Sequence, residues 1–65
     1  MVTEFDDERG LGVVRADDGR DFSFHCAAIA DGTRNVEVGT RVVFCVVPGH
    51  GGRYEARAVT TVPTA

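Results

Sequence analysis

The residue types that could carry out covalent chemistry lie in one short stretch of the sequence. Ser23 and His25 are two positions apart, so they would share one face of a strand. Nucleophilic catalysis by such a pair also needs a group that orients the histidine and a donor for the oxyanion, and the sequence suggests neither. The acidic run at residues 6–8 has no histidine or second acidic cluster nearby, and carboxylates so placed usually remain solvated. We therefore expect a protein that is not an enzyme.

Metal binding is a second kind of chemistry that the side chains would allow. Atoms that zinc prefers are present in His25, Cys26, Cys45 and His50, but their spacing lacks the close pairs of structural zinc modules. The two cysteines are nineteen positions apart and form no C-x-x-C pair. We expect two free thiols in a reducing compartment, the cytoplasm, and no cofactor. The sequence has no apolar run long enough for a membrane span and no signal pattern at its start, so no membrane partner is expected.

Net charge limits the partners that long-range attraction could bring. The 65 residues include ten acidic residues and seven basic ones, all of them arginine, for a net charge of −3. A polyanion would be attracted only weakly from a distance. Any binding of phosphate would therefore depend on a local cluster of arginines.

The elements that must position these residues are short strands. Turn signals recur at Asp17-Asp18-Gly19, Asp31-Gly32, Val38-Gly39 and Pro48–Gly52. The apolar runs between them predict five strands, at Met1–Phe5, Leu11–Ala16, Arg20–His25, Arg41–Val47 and Tyr54–Thr60. Cys26–Ala30 could form a single helical turn, and helical periodicity is not sustained anywhere.

Alternation along the strands predicts which side chains face the core. The inner set is apolar and comprises Val14, Phe22, Phe24, Val42, Phe44 and Val46, with Phe5 either a further core ring or a partly exposed one. The outer set comprises Leu11, Val13, Arg15, Asp21, Ser23, His25, Val43, Cys45 and Val47. A domain of this size buries only about 60% of its unfolded surface, and closing the sheet protects its edges. The pattern therefore favours a small OB-type barrel over a fragment of a β-sandwich.

Two stretches resemble the nucleic-acid-binding motifs of the cold-shock family. Residues 9–14, Arg-Gly-Leu-Gly-Val-Val, stand where that family carries K-G-F-G-F-I, and residues 22–26, Phe-Ser-Phe-His-Cys, stand where it carries V-F-V-H-F. The basic residue, both glycines, the aliphatic ending and the histidine match. The resemblance extends from Val2 to Val59 and implies an all-β, five-stranded antiparallel OB-fold barrel. We expect one domain over residues 1–60 and a flexible tail over residues 61–65.

The resemblance also implies a platform of exposed rings that stack on bases. The corresponding positions in this chain hold no ring, and they are Glu4, Leu11, Val13, Ser23, Cys26 and Thr33. Arg9 and His25 match the family's basic residue and histidine, so they would contact bases or phosphates. Tyr54 could supply one compensating ring. The candidate nucleic-acid-binding residues are Arg9, Leu11, Val13, Arg15, Ser23, His25, Arg34 and Arg53.

The resemblance implies binding of single-stranded RNA or DNA, in the role of an RNA chaperone or a regulator of gene expression. Because the stacking positions hold no ring, we expect this binding to be weak. The alternative is a module for protein interaction or self-association on the same barrel. Leu11 and Val13 are aliphatic, and the strip Val43, Cys45 and Val47 is also apolar. Such surfaces suit the side chains of a protein partner better than they suit nucleobases.

Overall fold

Turns that contain glycine separate the strands, as the sequence predicts. In the computed structural model, which describes residues 1–30, 32 and 35–62, Gly19 adopts a φ of +89° in the turn after the second strand. Its N–H donates to Ala16 O at 2.9 Å, and the Ala16 N–H donates to Arg20 O at 2.8 Å. The strands are β1 (Val2–Asp6), β2 (Leu11–Arg15), β3 (Asp21–His25), β4 (Val42–Pro48) and β5 (Tyr54–Thr61). All five predicted strands are confirmed, with bounds that differ by at most one residue.

Two short 3₁₀ turns, Cys26–Ala28 and His50–Gly52, complete the described elements. The first lies where the sequence predicts a single helical turn. β5 runs through Thr61, the first residue of the expected tail, and the Val62 N–H donates to Arg41 O at 2.9 Å. The rest of that expected tail, residues 63–65, lies outside the described residues. None of the described helical segments has the length and apolar character needed to cross a membrane.

The five strands form one sheet in the order β1-β2-β3-β5-β4. Neighbouring strands are antiparallel except β3 and β5, which are parallel at the pair Ser23–Glu55. In the described part of the chain, the edge strands β1 and β4 are not joined by a continuous ladder. Val2 nevertheless bonds to the segment before β4, donating to Thr40 O at 2.9 Å and accepting from the Gly39 N–H at 2.8 Å. The fold is the predicted all-β, OB-like sheet, with one parallel pair of strands and, among the described residues, an incomplete closure.

The core is apolar and is built mainly from β1, β2, β3 and β5. Its buried members are Val2, Val14, Phe22, Phe24, Ile29, Ala56 and Val59. Val14, Phe22 and Phe24 therefore face inward, as alternation predicts. Phe5 and Phe44 are half-buried and pack against this core. The Phe5 ring stacks on Phe24 with the ring centroids 6.0 Å apart.

β4 is covered less completely than the alternation of its residues suggests. Val46 pairs with the buried Ala56, which places it on the inner face as predicted, but 44% of Val46 remains exposed. The reason is that β4 ends the sheet, so its far side has no neighbouring strand in the described structure. Val43 is 59% exposed, whereas Val47, opposite Glu55, is half-buried.

Candidate nucleic-acid interface

The outward side chains of β1, β2 and β3 form a surface that we call the outer wall. The strand pairing arranges them in cross-strand rows, namely Asp6–Leu11–His25, Glu4–Val13–Ser23 and Arg15–Asp21. Directly opposite residues of an antiparallel pair have Cβ atoms about 5 Å apart on one face. The structure thus brings together the predicted candidates Leu11, Val13, Arg15, Ser23 and His25.

A groove of about 500 Å³ opens on the outer wall, and we call it the wall groove. It is lined by Glu4, Phe5, Asp6, Arg9, Leu11, Gly12, Val13 and Ser23. Leu11 is 47% exposed, so the groove presents aliphatic surface to a ligand. Phe5 contributes the one ring of the lining, and this ring is half-buried against Phe24. The groove therefore offers apolar surface and part of a single, half-buried ring.

Arg9 lies at the mouth of the wall groove, in a turn that Asp6 organises. The Asp6 Oδ1 accepts from the N–H groups of Glu8 at 3.1 Å and of Arg9 at 3.2 Å. The Arg9 Nε is 4.0 Å from Asp6 Oδ2, and the Arg9 side chain is 77% exposed. Because an exposed ion pair of this length contributes little to stability, the guanidinium can leave it to meet a phosphate or a base.

Arg15 is bound by the acidic residue opposite it on β3. Its Nε donates to Asp21 Oδ1 at 2.8 Å, and its Nη2 donates to Oδ2 at 3.3 Å. This hydrogen bonding, with the attraction between opposite charges, lowers the pKa of the Asp21 carboxyl and raises the pKa of Arg15. Arg15 is therefore a candidate whose charge is already paired within the outer wall.

His25 ends β3 and caps the first 3₁₀ turn. Its Nδ1 accepts from the Ala27 N–H at 3.2 Å, so Nε2 is the ring nitrogen left to face a ligand. The Cys26 N–H donates to Gly10 O at 2.7 Å, which ties the start of this turn to the segment that carries Arg9. The imidazole is thus positioned in the same row as Leu11.

A second depression, of about 340 Å³, lies where β5 begins beside β3. We call it the Tyr54 depression, and it is lined by Val13, Asp21, Phe22, Ser23, Arg53 and Tyr54. The four phenylalanines of the chain are buried or half-buried, whereas Tyr54 is 60% exposed. The structure thus places the candidate Arg53 beside the outer wall. Tyr54, which the sequence suggests as one ring to compensate for the missing stacking rings, lies next to it.

Arg57 is a cationic residue beside this interface that the sequence does not single out. It lines a recess of about 240 Å³ together with His25, Ala27, Ala28, Glu55 and Ala56. The parallel pairing of β3 with β5 brings Arg57 to His25. In the sequence, the alternation of Arg57 with the buried Ala56 predicts that the Arg57 side chain points outward. The alternation does not predict that His25 is its neighbour.

Two predicted positions, Thr33 and Arg34, lie outside the described residues. Cys26 is half-buried and Cys45 is exposed, and both thiols are free. Within residues 1–30, 32 and 35–62, histidine, cysteine and acidic side chains form no group of three or more that could hold a metal ion. The zinc alternative gains no support from that part of the chain.

Comparison with known proteins identifies the family. The family model of the 'Cold-shock' DNA-binding domain matches residues 1–62. The Cold shock-like protein CspC of Bacillus cereus is 38% identical to this chain over 59 residues, which cover 89% of this chain and 91% of that protein. The protein of the same name from a further strain of that species matches to the same extent. The resemblance found in residues 9–14 and 22–26 is confirmed, and the chain belongs to the cold-shock domain family, whose members bind nucleic acids.

Proposed function

We propose that this chain binds single-stranded RNA or DNA on the outer wall, and that it does so weakly. The observation that carries the proposal is the wall groove, where Arg9, Leu11 and Val13 line one open surface. A guanidinium suits phosphate, and an apolar surface suits the faces of bases. His25 extends the same surface with Nε2, which donates a hydrogen bond because Nδ1 already accepts one from the Ala27 N–H. Membership of the cold-shock domain family supports the same class of ligand.

Weak binding follows from the side chains that occupy the wall. A base stacked on an aromatic ring contributes about 1–3 kcal/mol, and Leu11, Val13 and Ser23 offer no ring. Micromolar affinity corresponds to about 8 kcal/mol, so several absent stacking contacts remove a large share of it. Glu4 and Asp6 add carboxylates to the groove lining, and these repel phosphate.

Arginine contacts would then supply a larger share of the affinity. Each phosphate that a protein neutralises releases counterions, so binding of this kind falls steeply as salt is added. Weak binding without base-specific contacts suits an RNA chaperone that relaxes RNA structure, or a regulator of gene expression. We place this activity in the cytoplasm, which would keep the free thiols of Cys26 and Cys45 reduced.

Titration of the protein into a fluorescently labelled oligothymidine at low ionic strength tests the proposal. We expect saturable binding that weakens between about 50 and 200 mM salt. Arg9→Ala should weaken binding, whereas Arg41→Ala, a matched change in a different groove, should leave it unchanged. The absence of saturable binding at submillimolar protein would refute the proposal.

One observation favours a second candidate function, that of a module for protein interaction or self-association. Met1, Val43 and Val62 are exposed around a separate groove of about 660 Å³. Exposed apolar side chains that share a groove suit the apolar side chains of a protein partner. Size-exclusion chromatography with light scattering, run over a range of concentrations on wild type and Val43→Asp, tests this candidate. A mass that rises with concentration only in wild type supports self-association. A protein that stays monomeric and captures no partner in a pull-down counts against this second function.

A further inference from the structure

On the basis of the proposed single-strand binding, we propose that the Tyr54 depression is a base-stacking site. One nucleobase lies against the Tyr54 ring, and the adjoining phosphate meets Arg53. The site is separate from the ring positions of β1, β2 and β3, because Tyr54 is the first residue of β5. It supplies a flat aromatic surface beside a wall that otherwise has none exposed.

The exposure of Tyr54 leaves its ring available to a ligand. Its side chain is 60% exposed and takes no part in the apolar core, although an aromatic ring is among the most favourable groups to bury. The backbone at this point is fixed, because Tyr54 pairs with Pro48 of β4. The ring is thus presented from an ordered strand and remains open to a flat ligand.

The size and the lining of the Tyr54 depression suit one nucleotide. A volume of about 340 Å³ is at the small end of ligand pockets and suits a single base with its sugar. Val13 lines it with apolar surface, and Ser23 contributes a hydroxyl for the polar edge of a base, whereas Phe22 belongs to the core and is only 7% exposed. Asp21 also lines it, but its charge is paired with Arg15 at 2.8 Å, which reduces its repulsion of phosphate.

The charge of Arg53 is available to a phosphate. Arg9, Arg15 and Arg20 each have a carboxylate oxygen within 4.0 Å. Arg53 is exposed and forms no ion pair with any of the other described residues. A guanidinium without an acidic partner gains more from a phosphate than one that must first give up a carboxylate.

The Tyr54 depression is continuous with the wall groove. Val13 and Ser23 line both the wall groove and the Tyr54 depression. A single strand that lies in the wall groove can therefore continue onto Tyr54 without leaving the surface. The two sites would hold successive nucleotides of one ligand.

Intrinsic fluorescence tests the proposal directly, because Tyr54 is the only tyrosine and the chain has no tryptophan. We expect oligothymidine to quench the tyrosine emission, and an abasic oligonucleotide of equal length to leave it unchanged. Tyr54→Leu should weaken the binding of labelled oligothymidine by about 5- to 150-fold. Tyr54→Phe, the matched control, keeps the ring and should retain the wild-type affinity.

The outcomes separate this site from the proposed function. If wild type binds oligothymidine but Tyr54→Leu binds equally well and the emission does not change, the stacking site is wrong and binding on the outer wall stands. If Tyr54→Phe loses as much affinity as Tyr54→Leu, the hydroxyl rather than the ring carries the contact, and stacking is also refuted. If wild type does not bind, both the site and the proposed function fail.

Discussion

Gly12 of β2 lies against the Phe24 ring so closely that a Cβ atom at Gly12 would be 2.5 Å from Phe24 Cζ. The same atom would be 2.9 Å from the backbone oxygen of Glu4. Gly12 and Phe24 are partners in the β2–β3 pairing, and Phe24 is fully buried. A glycine within a strand often marks such a close approach. Because Gly12 has no side chain, the Phe24 ring can pack against its backbone, next to the wall groove that Gly12 lines.

Gly12→Ala should destabilise the protein by about 1–3 kcal/mol, because the extra methyl group overpacks a filled core. Urea unfolding followed by circular dichroism would measure the change. Phe24→Leu shortens the opposing side chain, so the loss caused by Gly12→Ala should be smaller in a Phe24→Leu background. Equal losses in both backgrounds would show that Phe24 is not the cause.

Ala58→Gly should leave the protein as stable as wild type or up to about 1.5 kcal/mol more stable. Ala58 has a φ of +52° and lies in β5 where its pairing with β4 shifts register. An alanine in this conformation costs about 1–2 kcal/mol, whereas the added chain entropy of a glycine costs about 0.5–1 kcal/mol. The midpoint of urea unfolding should hold or rise at constant slope. Ala27→Gly, at an exposed alanine outside this region, should lower it, and equal decreases in both variants would contradict the prediction.

Glu4→Trp should tighten oligothymidine binding by about 5- to 150-fold. Glu4 is exposed opposite Val13 on the outer wall. The resemblance to the cold-shock motifs predicts that Glu4 stands at the position of the family's platform tryptophan. The change adds a stacking ring and removes a negative charge from the wall groove. Fluorescence anisotropy at constant salt would measure it, with Glu4→Gln as the control that removes only the charge. The same gain from both variants would mean that the ring contributes nothing.

Asp21→Asn should strengthen nucleic-acid binding, because it releases Arg15 from its two-point contact and removes one carboxylate from the outer wall. One additional phosphate contact steepens the dependence of log Kd on log salt by about one. Titrations at several salt concentrations would measure this slope. The control is Asp18→Asn, which releases Arg20 at the β2–β3 hairpin, away from the wall groove. An unchanged slope in Asp21→Asn would show that Arg15 does not reach the ligand.

The contact between Arg15 and Asp21 should also make stability depend on pH. The hydrogen bond from Arg15 holds the pKa of Asp21 below its unfolded value of about 3.9. Since the folded pKa is the lower one, the contact stabilises the fold above the unfolded pKa and is lost as the pH falls through the folded pKa. An NMR titration of the Asp21 carboxyl carbon should place its midpoint below the ordinary range, and Arg15→Gln should raise it. A midpoint that Arg15→Gln leaves unchanged would refute this cause.

The strands and their inner faces were predictable because both are local properties of the chain. The alternation around Phe22 and Phe24 and the glycine turn at Gly19 are each contained within a few residues, and the structure confirms them. Leu11, Val13 and His25 meet on the outer wall because β2 and β3 are joined by a short hairpin, whose pairing the sequence indicates.

The neighbours of Tyr54, Arg57 and Arg15 were not predictable in the same way. β5 reaches β3 through a parallel pair between Ser23 and Glu55, which are far apart in the sequence. Alternation predicts that Arg57 points outward, but it does not name His25 as its neighbour. Arg15 is a surface cation in the sequence, and only the register of β2 against β3 places Asp21 opposite it.

The sequence by itself determined the strands, their buried faces and the family, because alternation, turn residues and motif spacing act over short distances along the chain. The tertiary structure alone decided which side chains share the interface. It set Tyr54 and Arg53 beside Val13 and Ser23, and it paired Arg15 with Asp21. Those meetings depend on strand order and register, and a change of one residue in register would turn every side chain of a strand to the other face.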